Sequence, residues 1–435
     1  MRKITTILNF AFTCSLVFFS SFAVVAQSET DDNTTIRIDW DVCKYYPSAE
    51  THVSKINVPE YILQKMARGG SNCSTFIVNY NGFTPEAEAA FQFAVDIWSN
   101  ALESVVPIRV EANFGPLDPG VLGGAGPAGF RLISVPGVPS NTAFPLALAE
   151  KLEASELPDA SETFSNDINA TFSSTANFYF GIDGNTPSNQ IDFVSVVLHE
   201  LGHGLGILGF GRVDDPDMPT EGVLRNNGFV NVWDNFIENG TPEAITSFAD
   251  PSAVLLTELT GNNLFSNGPI TTLQNNGIKP STYAPAVFRQ GSSYSHWDEA
   301  TYPPGNANSL MTPFISRGEA IHDPGLVTLG FMEDMGWSIC GGSLLSVNDF
   351  NLNTVNISPN PFDTSFTIEF NSNTTDVFNV SLVDINGRVI LNTTKSAING
   401  KLSISNLEHL KPALYFVRIS NTITGHTVIK KLVKE

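Results

Sequence analysis

The sequence predicts an α+β domain followed by a small all-β sandwich, and three observations predict it. A strand, helix, strand succession occupies the first third; an apolar helical run near the middle carries two histidines four residues apart; and from Val355 onward the pattern changes to short alternating strands separated by turn signals. At 435 residues the chain is too long for one ordinary domain. Its 42% hydrophobic and 15% charged content, with 34 Gly and 26 Pro, describes a folded, loop-rich protein rather than a disordered one.

Residues 1–26 begin with Arg2 and Lys3, continue through an apolar run containing Phe10, Phe12, Leu16, Val17, Phe18 and Phe19, and end on Val24-Val25-Ala26. That is the layout of a cleaved secretory signal. The run is short for a membrane span and is broken by Ser15, Ser20 and Ser21; no later segment reads as a membrane helix. A formal net charge of -21 excludes nucleic acid and anionic membrane as partners, since both would be repelled. The acidity belongs to the centre: residues 27–344 hold 13 Lys and Arg against 37 Asp and Glu, whereas residues 345–435 hold 8 against 7. This shift predicts a first domain over 27–344, with 27–72 as a possible propeptide or N-terminal extension, and a second over 345–435.

Cys14 leaves with the signal, so Cys43, Cys73 and Cys340 remain, and three cannot all pair. Export permits one disulfide. Cys43 with Cys73 closes the shortest loop, but all three pairings are open. A different reading makes Cys43 a thiolate that caps a metal in a latent form; no motif around Asp41-Val42-Cys43-Lys44 supports it.

Within the first domain, residues 74–80 alternate as a strand ended by Asn81-Gly82. Thr84 caps and Pro85 opens a helix on which Ala89, Ala90, Phe93, Ile97, Trp98 and Leu102 recur at helical spacing, and residues 107–112 form a second strand. The Gly/Pro-rich stretch 115–129 reads as a flexible loop; Gly123-Gly124-Ala125-Gly126 is no phosphate cradle, because no Gly-Lys-Ser/Thr follows. Residues 170–180 are strand-like and lead into a turn at 181–185, where Asp183 and Asn185 make an Asx-type turn before they make a calcium site.

Asp192 stands as N-cap to Phe193-Val194-Ser195-Val196-Val197-Leu198-His199-Glu200-Leu201-Gly202-His203. On a helix His199 and His203 point the same way, one turn apart, so two imidazoles can hold one zinc ion. Glu200 beside them is placed to act as general base on a water acidified by the metal, and later as acid to the leaving amine. Two histidines rarely hold zinc alone. The compact pattern, in which a glycine turn is followed three residues later by the third ligand, is met at Gly206 but fails at Gly209, which has no side chain. The third ligand must come from downstream, where His296, His322, His409 and His426 remain.

His296 lies in Ser295-His296-Trp297-Asp298-Glu299, followed by Ser309-Leu310-Met311-Thr312-Pro313 and then by Glu333-Asp334-Met335-Gly336-Trp337. In these motifs and their order, from about Gln190 to Trp337, the chain resembles the leishmanolysin-like metzincins, zinc metalloproteases in which the third histidine arrives after a long insertion. The resemblance implies His296 as third ligand, Met311 as the methionine beneath the metal and Gly206 as the turn. It also implies a metzincin-like zinc endopeptidase with protein or peptide substrates. The departure is in cysteines, in which leishmanolysins are rich and this chain is poor, so the match is to a bacterial branch. His322 reads as packing at the start of the last helix, and Asp214, Asp215 and Asp217 as a solvated acidic loop before a Ca2+ site. Glu221 and Glu238 are alternative third ligands without a recognisable motif.

At the C-terminus, Ser358-Pro359-Asn360-Pro361-Phe362, Leu382-Val383-Asp384-Ile385-Asn386-Gly387-Arg388, Ala413-Leu414-Tyr415-Phe416-Val417-Arg418 and the final Lys430-Lys431-Leu432-Val433-Lys434 resemble the type A sorting domain of type IX secretion. Ala413 departs from the glycine usual there. The resemblance implies a β-sandwich, the type IX machinery as partner, and export through the periplasm and outer membrane of a Gram-negative bacterium to the medium or cell surface. The rival to the enzyme reading is a surface adhesin or binding protein that keeps the protease fold without turnover.

Overall fold

The computed structural model describes residues 35–36, 43–67, 72–157, 165–344, 355–370, 377–385, 388–421 and 427–435. The signal reading of 1–26, residues 27–34, 37–42 and 68–71 of the possible propeptide, and Asn386-Gly387 of the C-terminal motif lie outside them.

Phe76–Asn81 alternates half-buried and exposed side chains and forms one edge of a four-stranded sheet. The helix that follows, Pro85–Ser99, starts where its cap puts it: Thr84 Oγ1 accepts from Ala87 N at 3.3 Å and proline fills the first turn, a cap contributing about 1 kcal/mol. Its buried face is Ala87, Ala90, Phe91, Ala94, Ile97 and Trp98; Ala89 is exposed, and Leu102 belongs to the short strand beyond. The helix leads into Ile108–Gly115, parallel to Phe76–Asn81, and Ile168–Ser173 adds a third parallel strand.

The fourth strand corrects the sequence reading. Gly123–Pro127, expected to be a flexible loop, pairs antiparallel with Ile168–Ser173 and forms the other edge of the sheet. Its glycines allow close packing, since a Cβ on Gly123 would stand 2.7 Å from the Phe172 ring. Composition alone hides such a strand, because it lacks the β-branched side chains by which strands are recognised.

The central helix Phe193–Gly204 packs beneath this edge strand and is buried along its whole length. Asp192 caps it, accepting from Ser195 N at 2.8 Å and Ser195 Oγ at 2.7 Å. Trp98 Nε1 donates to Leu198 O at 3.0 Å and ties the two helices together. At Gly206, φ +125° lies outside what L side chains tolerate, and the chain turns away there.

It returns only at Ser295. In between stand the helix Ala253–Leu259 and a three-stranded antiparallel sheet of Ile237–Asn239, Leu264–Ser266 and Ser281–Thr282. The return is pinned by that excursion: Tyr294 N donates to Tyr283 O at 2.7 Å and Tyr283 N to His296 O at 2.8 Å. Phe314–Ile321 then pairs in parallel with the N-terminal strand Tyr46–Ile56, and the helix Leu326–Met335 closes the unit.

Cys73 pairs with Cys340, with 5.8 Å between Cα atoms, and Cys43 is free and buried. The shortest loop, Cys43 with Cys73, is therefore not the one closed; tertiary proximity across 267 positions decides the pairing.

Residues 355–435 have their own core, built on Phe362, Phe366, Ile368, Val380, Leu382, Val417 and Leu432. Val355–Ser358, Phe366–Phe370 and Lys401–Ile404 form one antiparallel sheet; Val389–Ser396, Val377–Asp384, Ala413–Asn421 and Thr427–Lys434 form the other. The chain is thus mixed α/β, with an all-β unit at its C-terminal end.

Candidate metal centre

The central helix presents His199 and His203 on one face, and the return loop brings His296 to them. Their Nε2 atoms form a triangle with sides of 3.1, 3.2 and 3.2 Å, and all three residues are fully buried. Each Nδ1 faces a backbone carbonyl: His199 that of Leu310 at 2.6 Å, His296 that of Ser292 at 2.6 Å, and His203 that of Ile207. A carbonyl only accepts, so each Nδ1 carries the proton and each Nε2 presents a lone pair. Burial, reinforced by the neighbouring imidazoles, holds His199 and His296 well below the usual histidine range; burial alone brings His203 down to about 4. Three neutral donors at these spacings fit a tetrahedral zinc ion, whose ligand nitrogens at about 2.0–2.1 Å from the metal stand about 3.3 Å from one another.

Glu200 is fully buried, and burial raises its carboxyl well above the usual range. Oε2 accepts from Ala125 N of the edge strand at 2.6 Å, while Oε1 is buried with no hydrogen-bond partner among the described residues. Met311 packs against the central helix: a Cβ on Gly202 would meet its Sδ at 2.7 Å, so Gly202 makes room for it. The same turn supplies the Leu310 carbonyl to His199, and Met311 O accepts from Trp297 N at 2.9 Å.

Gly209 also acquires a reason. A Cβ there would stand 2.2 Å from the Tyr294 ring and 2.6 Å from Trp233. The space where a compact motif would have its third ligand is filled by the residues that deliver His296. His322 lies apart from the triangle, with Nε2 2.9 Å from Oδ1 of the helix cap Asp192. Glu221 is exposed, and Glu238 is engaged by Lys279 and Asn267. Asp183 spends its carboxylate on Asn185 and Tyr179, Asp214 on Thr220 and Glu221 N, and Asp215 on Asp217 N and Met218 N, which is turn chemistry.

Cys43, which no motif links to a metal site, is brought to the three histidines by the fold. Its Sγ lies 3.5 Å from His296 Nε2 and joins the three histidines in one ligand-sized cluster. Burial and the charge of Glu200 push the thiol up, but a dication bound among these donors would reverse this, since a coordinating thiol gives up its proton. Tyr45 was missed altogether: its ring stacks on His199 with centroids 3.7 Å apart and planes 9° apart. The one available signal was the odd cysteine of an exported chain.

Beside the centre lies a cavity of about 40 Å³ lined by Cys43, His203, Phe210, Arg212, Gln290 and Ser295, among others.

The family described as the secretion system C-terminal sorting domain matches residues 356–435. The C-terminal unit is a type IX secretion sorting domain. The protein that carries it is therefore secreted to the surface or the medium by the type IX route, and no helix among the described residues is long and apolar enough to cross a membrane. A second family, described as SPBPB7E8-like, matches residues 144–214, which include the central helix. No curated protein matches the chain. Among solved structures, PorZ, an essential surface component of the type IX secretion system of Porphyromonas gingivalis, is 16% identical with a TM-score of 0.16; the match covers 21% of this chain and 12% of PorZ. A DUF3244 family protein with an immunoglobulin-like β-sandwich fold from Bacteroides vulgatus is 14% identical with a TM-score of 0.16, over 19% of this chain and 84% of its own.

Proposed function

We propose that residues 27–344 are a zinc-dependent endopeptidase of the leishmanolysin-like metzincin type, exported with its cleft closed by its own N-terminal segment. The observation that carries this reading is the buried triangle of His199, His203 and His296 beside a carboxylate with one oxygen free. Zinc bound there supplies a Lewis acid for the scissile carbonyl and acidifies a water molecule. The protein's own groups do the rest. The three Nδ1 protons, held on carbonyls, keep the Nε2 atoms aimed at one point. Ala125 N fixes Oε2 of Glu200, which leaves Oε1 to take a proton from the attacking water and to pass it to the leaving amine. The edge strand Gly123–Pro127 offers backbone groups along which a peptide can lie extended.

Cys43 favours a second reading by one feature: four protein donors around one point are what a structural, closed zinc site has. The catalytically silent binding protein would keep that closure permanently. Limited proteolysis or thiol modification of the secreted protein distinguishes the two. The endopeptidase reading expects peptide hydrolysis to appear on opening and to vanish with a chelator; one equivalent of zinc with no hydrolysis in any form would establish the silent protein instead. In the opened enzyme, Glu200→Ala should keep zinc while lowering hydrolysis about a hundredfold or more, the scale of a lost general base.

A further inference from the structure

The cavity beside the triangle has one charged side chain on its wall, Arg212; the other titratable groups there, the Cys43 thiol and the His203 imidazole, are neutral in the fold. Two of the five guanidinium N–H groups donate to carbonyls, Phe210 O at 3.3 Å and Arg225 O at 3.1 Å. No carboxylate among the described residues pairs with Arg212, whereas Arg109 and Arg225 of the same unit each have one, Glu156 at 2.6 Å and Asp250 at 3.2 Å. Asp214, two residues on, is engaged by Thr220 and by the Glu221 amide. An arginine with donors to spare and no anion of its own thus stands beside the candidate centre of a strongly acidic unit.

The place of the cavity follows from the segment that closes the cleft. Cys43 is the fourth donor around the metal position and also part of the cavity wall, so withdrawing the segment opens the cavity onto that fourth position. Tyr45 N donates to Gly123 O at 3.0 Å and Leu122 N donates to Tyr45 O at 2.9 Å, an antiparallel bridge to the edge strand. A peptide paired antiparallel with the same strand runs in the same direction. Tyr45, which follows Cys43, lies over His199, whereas the cavity is lined by His203, Gly209 and Ser295 and by neither Tyr45 nor His199. It therefore faces residues that come before the bond held at the metal.

We infer that Arg212 makes this cavity an anion-binding subsite, which selects an Asp or Glu side chain N-terminal to the scissile bond. The inference rests on the endopeptidase reading. At about 40 Å³ the cavity exceeds the roughly 10–15 Å³ that one water needs, which leaves room for a carboxylate. A guanidinium can give such a group two parallel N–H bonds, the geometry for which arginine is suited. Ser293 lines the same wall; its Oγ accepts from Arg289 N at 2.9 Å and keeps its own proton to give.

Two measurements test it. The secreted full-length protein, opened by limited proteolysis, is given a proteome-derived peptide mixture and the new termini are sequenced. Asp and Glu should be enriched about tenfold at one fixed position within three residues before the cut, the scale of one charge-assisted hydrogen bond. A flat profile there, or one enriched in apolar or basic residues, overturns the subsite while leaving the endopeptidase standing. Absence of cleavage in every form overturns both. The second measurement takes two peptides that differ only by Glu or Gln at that position and compares their kcat/KM. The ratio should be about ten at low salt and fall as ionic strength rises. It should drop to about one in Arg212→Gln and below one in Arg212→Glu, a reversal that a merely structural arginine would not produce. An unchanged ratio in Arg212→Gln overturns the assignment to Arg212. The profile and the salt dependence need no variant, so they decide the matter even if a substitution at Arg212 prevents folding.

Discussion

The two ends of this chain are held together by opposite kinds of contact. In the sorting domain every described strand pairs with strands of the same unit, and inward and outward residues alternate along Phe366–Phe370, Val377–Asp384 and Lys401–Ile404. In the N-terminal unit, the candidate centre joins Cys43 to His296 across 253 positions and His203 to His296 across 93. One unit follows from periodicity; the other depends on a long excursion returning to the right place. Damage should therefore spread differently in each.

The largest effect is expected at the return loop. His296→Ala should abolish hydrolysis and weaken zinc binding by more than about a hundredfold, beyond the usual loss from an outer-shell change. His322→Ala should keep one equivalent of zinc, read by metal analysis, while lowering stability through loss of the bond to the helix cap. If the two variants behave the other way round, the triangle is not the metal site.

Removal of residues 345–435 sharpens the contrast from the other side. The shortened protein should remain in the cell, yet its N-terminal unit should still bind one zinc, because none of the donors comes from the removed part. Export at the normal level would show that the sorting domain is dispensable for this chain.

A smaller effect is expected from the staple. Cys73→Ser should destabilise the N-terminal unit by about 2–4 kcal/mol, the usual value of a natural disulfide, and leave the melting of the sandwich unchanged in calorimetry. A shift in both transitions would mean that the two units unfold as one.

The smallest concerns pH. Burial pushes Glu150 up to about 7, with the charge of Asp167 added, and pushes Asp167 up to about 6 against the hydrogen bonds from Arg109 N and Glu150 that hold it down. Both groups hold protons in the fold that the unfolded chain has already released. Stability of the N-terminal unit should therefore fall as pH rises from about 4 towards 7 and level off above, where the folded groups also ionise. Glu150→Gln should flatten that slope and gain at most about a few degrees in Tm near pH 8; an unchanged slope would remove the pair from the account.

How much could be read in advance differs along the same line. Thr84, Pro85 and Asp192 announced their helices because caps and first turns are local chemistry, and the sandwich strands announced themselves because alternation is local geometry. The pairing of His199 with His203 was equally local, a matter of one helical turn. Gly123–Pro127 escaped notice because its strand character comes from the neighbour it packs on, Phe172, and not from its own side chains.

By itself, then, the sequence determined the C-terminal sorting domain, the helix that carries His199, Glu200 and His203, and, through motif order, which distant histidine to suspect. Only the tertiary structure decided that His296 reaches the helix while His322 bonds its cap Asp192, that Cys73 pairs with Cys340, and that Cys43 and Tyr45 pack against the histidines. The physical reason is range. Caps, turns and periodicity act over a few residues and are written in their order, whereas a triangle of nitrogens about 3 Å on a side is set by how a chain spanning 86 positions from Gly209 to Ser295 closes on itself.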